Sequence, residues 1–233
     1  MKPVFKSVID VSQYQGTIKW QTVKDSGVDA AYIRLCNGTK LDTQALRNAL
    51  QCRRLEIPFG FYCYWHPQPL ALRQAKMLVE YTRSEKANLI PMLDVEAHDD
   101  KRPITIINKL AKSVSVIENA FGKPPTIYTG GWFWNSRVKS GKFSHCPLWV
   151  SQYVHYSLKA FQRASHCIPV NPGAWAAYAL QHKNPAGVVG WSAWSAWQFA
   201  GGFDSVGLRY GMQSRDLDVN ILKDAEYSRF LLS

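Results

Sequence analysis

The sequence predicts an α/β fold, a single TIM-like barrel of (β/α)5(β)3 type with irregular last strands. Short apolar runs alternate with amphipathic stretches five times, with Pro or Gly at the joins, which argues for a parallel sheet. Further strands follow those five units, which argues for closure into a barrel. The alternation then lapses. Residues 154–193 hold Pro169, Pro172 and Pro185 without a clear strand and end in "GWSAWSAWQFA". A chain of 233 residues can form one large barrel or two small domains. No linker divides it, so residues 1–233 are read as one domain.

The elements follow in order. "PVFKSVIDVS" is a first strand, and "IKWQTVKDSG" a short helix stopped by Gly27. "AAYIRLC" is a second strand, and "DTQALRNALQCRRL" a helix with Asp42 as its N-cap. "PFGFYCYW" is a third strand, followed by the helix "LALRQAKMLVEYTRSEK" with apolar residues at 72, 75, 78, 79 and 81. "NLIPMLDVE" is a fourth, followed by the long helix "ITIINKLAKSVSVIENAFG", which Asp99 or Asp100 would cap and Gly122 end. "PTIYTG" is a fifth, then a short "WFWNSRV" helix, and "PLWVSQY" a sixth. Two more strands are expected near 195–200 and 214–220, and "DAEYSRFLL" is a closing helix.

Bulk properties exclude several classes. The net charge is +11, but Arg53-Arg54 and Lys101-Arg102 are the only adjacent basic pairs. No basic run marks a nucleic-acid or membrane tail. Long-range attraction to a polyanionic substrate fits better. Nine Trp and eleven Tyr exceed what a core needs and suit a surface that stacks on flat ligands. Trp191, Trp194 and Trp197, spaced by three, line a sugar groove or pack the preceding stretch. The cysteines at 36, 52, 63, 146 and 167 are odd in number and irregular in spacing, and they read as reduced thiols. His145-Cys146 and His166-Cys167 lack zinc spacing, so neither a metal nor a cofactor is expected. No stretch approaches the roughly 18 apolar residues of a membrane span, and "MKPVFKSVID" carries no export signal.

The carboxylates carry the chemistry. In a β/α barrel the reacting groups stand at the C-terminal strand ends. Asp10 ends the first strand, Asp94 and Glu96 the fourth, and Asp216 and Asp218 lie in the last. Residues two apart on a strand share a face, roughly 6.5–7 Å apart. Like charges that close push one pKa upward, so one acid stays protonated near neutrality. That division suits glycoside hydrolysis, in which one carboxylic acid protonates the leaving oxygen. Spacing alone leaves Mg²⁺ binding open, whereas Asp94 and Glu96 lie too early to cap the following helix.

"DVSQYQGTIKW", "YIRLCNGTKLD", "GFYCYW", "RQAKMLV", "PMLDVE", "PTIYTG", "PLWVSQY", "AWQFA" and "DLDVN" occur in that order along nearly the whole chain. This ordered set resembles glycoside hydrolase family 25, the Chalaropsis-type lysozymes. The resemblance implies a barrel whose last strands lack regular helices. It also implies an N-acetylmuramidase cutting the β-1,4 bond between N-acetylmuramic acid and N-acetylglucosamine in peptidoglycan. Carried over by motif, Glu96 is the general acid, Asp94 its partner in Asp-x-Glu, and Asp10 and Asp218 complete the acidic set. Asp94 would orient the substrate's own 2-acetamido group as nucleophile, with retention at the anomeric carbon. Tyr62, Tyr128, Trp149 and Gln152 match cleft positions, although a Trp in "PLWVSQY" suits a core equally. Cys63 departs from the His that often follows the Tyr of "GFY" and leaves one polar contact in doubt.

A non-catalytic glycan-binding barrel is the alternative, and all four acids being present speaks against it. A basic polyanion-binding protein, indifferent to Glu96, is the third reading. The expected partner is bacterial cell-wall peptidoglycan, met by a monomer with no separate wall-binding domain, no nucleic acid and no membrane insertion. The missing export signal favours a phage endolysin held in the host cytoplasm until release onto the wall.

Overall fold

The structure, a computed structural model, describes residues 4–154, 168–201 and 206–232. Nine strands form one sheet: β1 (Phe5–Val11), β2 (Ala30–Asn37), β3 (Lys40–Leu41), β4 (Phe59–Tyr64), β5 (Met92–Asp94), β6 (Thr126–Gly130), β7 (Leu148–Ser151), β8 (Ala196–Ala200) and β9 (Asp218–Lys223). Their order is β1-β9-β8-β7-β6-β5-β4-β2-β3, and β1 also pairs with β2, which closes eight strands into a barrel. The pairings from β1 through β2, β4, β5, β6 and β7 to β8 are parallel, as the alternation predicts. β9 runs antiparallel to both β1 and β8. The expected strand near 214–220 thus lies further along the chain and points the other way. Period-two patterning marks a strand's faces but not its direction.

Among the described residues, the helices between the first strands are α1 (Trp20–Asp25), α2 (Ala45–Arg54), α3 (Ala71–Ser84) and α4 (Pro103–Phe121). α4 ends at Gly122, whose φ of 67° is the left-handed cap that glycine adopts without strain. Neither Asp99 nor Asp100 caps its start, because the N-cap is Arg102 with no side-chain bond and Pro103 opens the first turn. Asp99 instead faces the His66 ring, 3.0 Å from Nδ1. The N-cap of α2 is Gln44, without a side-chain capping bond, rather than Asp42; Asp42 sits two residues earlier and accepts the Gln44 N–H at 2.9 Å. Its other oxygen takes Arg34 Nε and the Gln13 N–H, each at 2.9 Å. The "WFWNSRV" helix is a short turn, Gly131–Phe133, running into a π turn, Trp134–Val138. The described part of 154–193 contains no strand but does contain an unanticipated helix, Trp175–Leu180.

Alternation along the strands builds two cores. One set of side chains fills the barrel lumen: Val8, Ala30, Tyr32, Tyr62, Met92, Tyr128, Trp149, Ala196 and Leu222. Their neighbours in sequence, among them Ile9, Ala31, Ile33, Phe61, Cys63, Leu93, Ile127, Val150 and Trp197, face the helical layer. Cys63 therefore points away from the barrel mouth, with its sulfur 3.6 Å from Gln74 Oε1 under α3. Its departure from the usual His leaves the four acids untouched. Trp191, Trp194 and Trp197 belong to the outer packing: Trp191 meets Trp134 edge-on, Trp194 lies beside Phe5, and Trp197 is buried against Phe199. Cys36, Cys52, Cys63 and Cys146 are free and buried, while Cys167 and His166 lie outside the described residues. No helix among the described residues is long and apolar enough to cross a membrane.

Candidate active site

The polar residues gather in the top layer of the lumen. β1 delivers Asp10 opposite Asp218 of β9, and β5 delivers Asp94 between Tyr64 of β4 and Tyr128 of β6. Strand pairing continues past β5 through the Val95 N–H on the Tyr128 carbonyl at 2.8 Å. Val95 is thereby turned outward into the core and Glu96 inward, half-buried at the mouth. The register slips once in β2, after Arg34, and once in β8, after Gln198. Leu35 and Cys36 both pass to the outer layer, as do Phe199 and Ala200. Each bulge thus follows an inward polar residue at the rim, a common position for bulges beside active sites.

Hydrogen bonds fix the acids unequally. One Asp10 oxygen accepts from Asn220 Nδ2 at 2.8 Å and from Gln198 Nε2 at 3.0 Å. Asp218 of β9, opposite Asp10, adds a smaller effect that also lowers the Asp10 pKa. Burial nevertheless outweighs these bonds and raises the Asp10 pKa. Asp94 is buried, and among the described residues its Oδ1 has no hydrogen-bond partner. Burial first, then the charges of Glu96 and Asp10, push Asp94 well above the usual carboxylate range, with Arg34 pulling the other way. Glu96 rises to about 7, through burial and then the Asp10 charge. Glu96 can thus hold a proton at neutral pH and give it up.

The aromatic and amide positions divide. Tyr62 sits among Asp10, Arg34, Asp94 and Asp218, and burial chiefly raises its phenol pKa. Tyr128 donates to Gln198 Oε1 at 2.7 Å, so it steadies the same amide that holds Asp10. Gln152 accepts the Ala186 N–H at 2.7 Å on the cleft wall. Trp149 does not reach the cleft. It is fully buried in the lumen, donates to Asn220 Oδ1 at 2.9 Å, and packs edge-on against Tyr32. As a substrate contact it is corrected to a support beneath Asn220, since the large indole fills the lumen that a sugar cannot enter.

A cleft of about 580 Å³ opens beside Glu96, lined by Tyr128, Trp132, Asn135, Gln152, Tyr153 and Ala186 among others. Trp132, 72% exposed, is not marked by the sequence, which shows it only as part of the short "WFWNSRV" helix. Arg34, Gln198 and Asn220 also escape a reading of the sequence, each hidden in a strand of apolar residues. Among the described residues no group of three or more His, Cys, Asp or Glu is arranged to hold a metal ion.

Comparison with known proteins agrees with this geometry. The chain resembles the uncharacterized Escherichia coli protein YegX, 30% identical over 151 residues, covering 62% of this chain and 55% of that one. It thus spans about half the length of the curated relatives it matches. The fold is similar to the Clostridium perfringens spore cortex lytic enzyme SleM, with TM-score 0.74, 24% identity, and 100% of this chain and 71% of that one covered. It is also similar to a lysozyme from Streptomyces coelicolor, with TM-score 0.69, 20% identity and coverage of 97% and 95%. The catalytic domain of endolysin ply40 from bacteriophage P40 of Listeria monocytogenes matches with TM-score 0.68, 19% identity and 97% of each chain covered. The sequence model of glycosyl hydrolases family 25 matches residues 9–207. With most of its length inside that match, the chain belongs to glycosyl hydrolases family 25.

Proposed function

We propose that the protein is an N-acetylmuramidase that hydrolyses the β-1,4 bond between N-acetylmuramic acid and N-acetylglucosamine in peptidoglycan. One observation carries this reading: the Glu96 carboxyl, with its pKa raised to about 7, opens into the cleft beside the buried acids Asp10 and Asp94. Protonated Glu96 gives its proton to the glycosidic oxygen as the bond to the anomeric carbon breaks. The substrate's acetamido oxygen closes on that carbon, with Asp94 orienting the acetamido N–H. Glu96, now a carboxylate, takes a proton from the water that attacks the same carbon and opens the ring. Two inversions at one centre give retention, so NMR of the first product should show the β anomer, and an initial α anomer would exclude the acetamido route. Asp10, tied to Gln198 and Asn220, and Asp218 opposite it on β9 hold the negative field beneath the reacting sugar.

The decisive experiment digests purified peptidoglycan with the wild type and with Glu96→Gln, then identifies borohydride-reduced fragments by mass spectrometry. Reduced muramic-acid ends, and a loss of about a hundredfold or more in the variant, are expected. Reduced glucosamine ends would mean that a different bond is cut. Wall binding without fragments from either protein would favour the non-catalytic barrel. The likeness to the phage P40 endolysin domain supports an endolysin role in host lysis, with a monomer acting on the wall.

A further inference from the structure

Halfway round the barrel from the Glu96 cleft, between the ends of β1 and β2, lies a second cavity of about 270 Å³. Gln13, Tyr14, Arg34, Lys40 and Asp42 line it. Arg34 is its centre. The residue is only 8% exposed, its Nε donates to Asp42 Oδ2 at 2.9 Å, and its guanidinium lies 4.7 Å from the centre of the Tyr14 ring. Among the described residues no acceptor takes its two terminal nitrogens. Asp42 cannot serve them further, since the Gln13 and Gln44 N–H groups also bond its carboxylate. Lys40, exposed on the β3 hairpin, adds a second positive charge. A planar donor fork held by a carboxylate on one side and an aromatic ring on its face is built to take an oxyanion bidentately. Arg34 pairs with Tyr62 of β4, and β4 pairs in turn with β5, which bears Asp94, so a ligand spanning the mouth can reach both.

We propose that this pocket receives a carboxylate carried by the muramic residue of the glycan, and that the protein thereby selects anionic over neutral glycan. The inference rests on the muramidase reading and names the substituent that the cleft recognises. Two sources offer that carboxylate: the lactyl ether itself, where the peptide is absent, or a carboxylate of the attached stem peptide.

The test measures glycan binding by calorimetry in the Glu96→Gln protein, alongside turnover by the active protein. Three soluble glycans are compared: peptide-free muramyl glycan, the same glycan with its carboxylates converted to methylamides, and glycan with peptide stems. Lys40→Gln and Arg34→Lys are each introduced into both backgrounds. The expected result is affinity weakened about three- to tenfold by either change for a carboxylate-bearing glycan. On the methylamide glycan, parent and variants should coincide. An effect on the peptide-free glycan assigns the lactyl carboxylate, and an effect confined to stem-bearing glycan assigns the peptide. Equal affinity of the parent for carboxylate and methylamide glycans overturns the proposal, as does an equal loss on both in the variants. Selective binding of carboxylate glycan without cleavage of any glycan would instead sink the muramidase reading and leave the anion pocket standing.

Discussion

Glu96 connects burial to pH. Its carboxyl, raised from 4.5 to about 7, must be protonated for the first proton transfer, so the rate should fall as pH rises through about 7. A pH–kcat profile checks this, and the basic limb should vanish from the residual activity of Glu96→Gln. The same shift bears on stability with a definite sign. Between about pH 4.5 and 7 the folded chain holds a proton that the unfolded chain has released, so raising the pH weakens the fold. Glu96→Gln should therefore melt above the wild type at pH 8 and with it near pH 4, by about 2–4 °C for each kcal/mol relieved. Asp94→Asn should show the same trend, since Asp94 is raised by burial and by Glu96 and carries an oxygen with no partner among the described residues. Trp132 makes the complementary case. Exposed on the cleft wall, it should cost the fold little when changed to Ala but raise KM about tenfold through lost sugar stacking, as steady-state kinetics on soluble glycan would register.

β8 and β9 show how the backbone sets the site. Gly201, just past β8, stands where a Cβ would run into the Asp218 carboxylate and come within 3.0 Å of the Tyr153 hydroxyl. Gly201→Ala should displace Asp218 and reduce kcat by tenfold or more while the circular dichroism spectrum stays that of the wild type; unchanged kcat would show that Asp218 has room to move. No pattern in the sequence marks this glycine, because its constraint comes from a residue 17 positions away that only strand pairing brings near. The strands bearing Asp10 and Asp94, by contrast, are legible, since an apolar run that ends in an acid at a strand-helix join puts that acid at the barrel mouth. The start of α4 is not, because two adjacent aspartates before a helix look like caps. In the structure both take positive φ, 45° at Asp99 and 54° at Asp100, which turns them away from the helix start. Trp149 misleads for a related reason: alternation places it on the lumen face with Tyr128, but depth along the strand, which decides between cleft and core, is set by the register of neighbouring strands.

Alternation and the strands that follow it predict the barrel and its closure, and the family resemblance predicts its irregular last strands, but neither predicts the reversed last strand. The net charge of +11 belongs to the molecule rather than to any one contact. It should draw the protein to an anionic wall over a distance screened beyond about 8–10 Å at physiological salt. Lysis rates on whole peptidoglycan should therefore fall as sodium chloride rises from roughly 20 to roughly 300 mM. A flat profile would mean that local contacts, not the summed field, deliver the substrate. The reversal of β9 has a further consequence. Because β9 descends, Phe5 at the start of β1 pairs with Lys223 at the end of β9. The segment beyond β9 then tucks Phe230 into the lumen from below and bridges Leu231 to Leu89. Both ends of the described fold therefore lie on the face remote from the acids, the first beside β9 and the last beneath the start of β5. A tether, affinity handle or second module spliced to either end would hang behind the catalyst, leaving the mouth free to press against an insoluble surface.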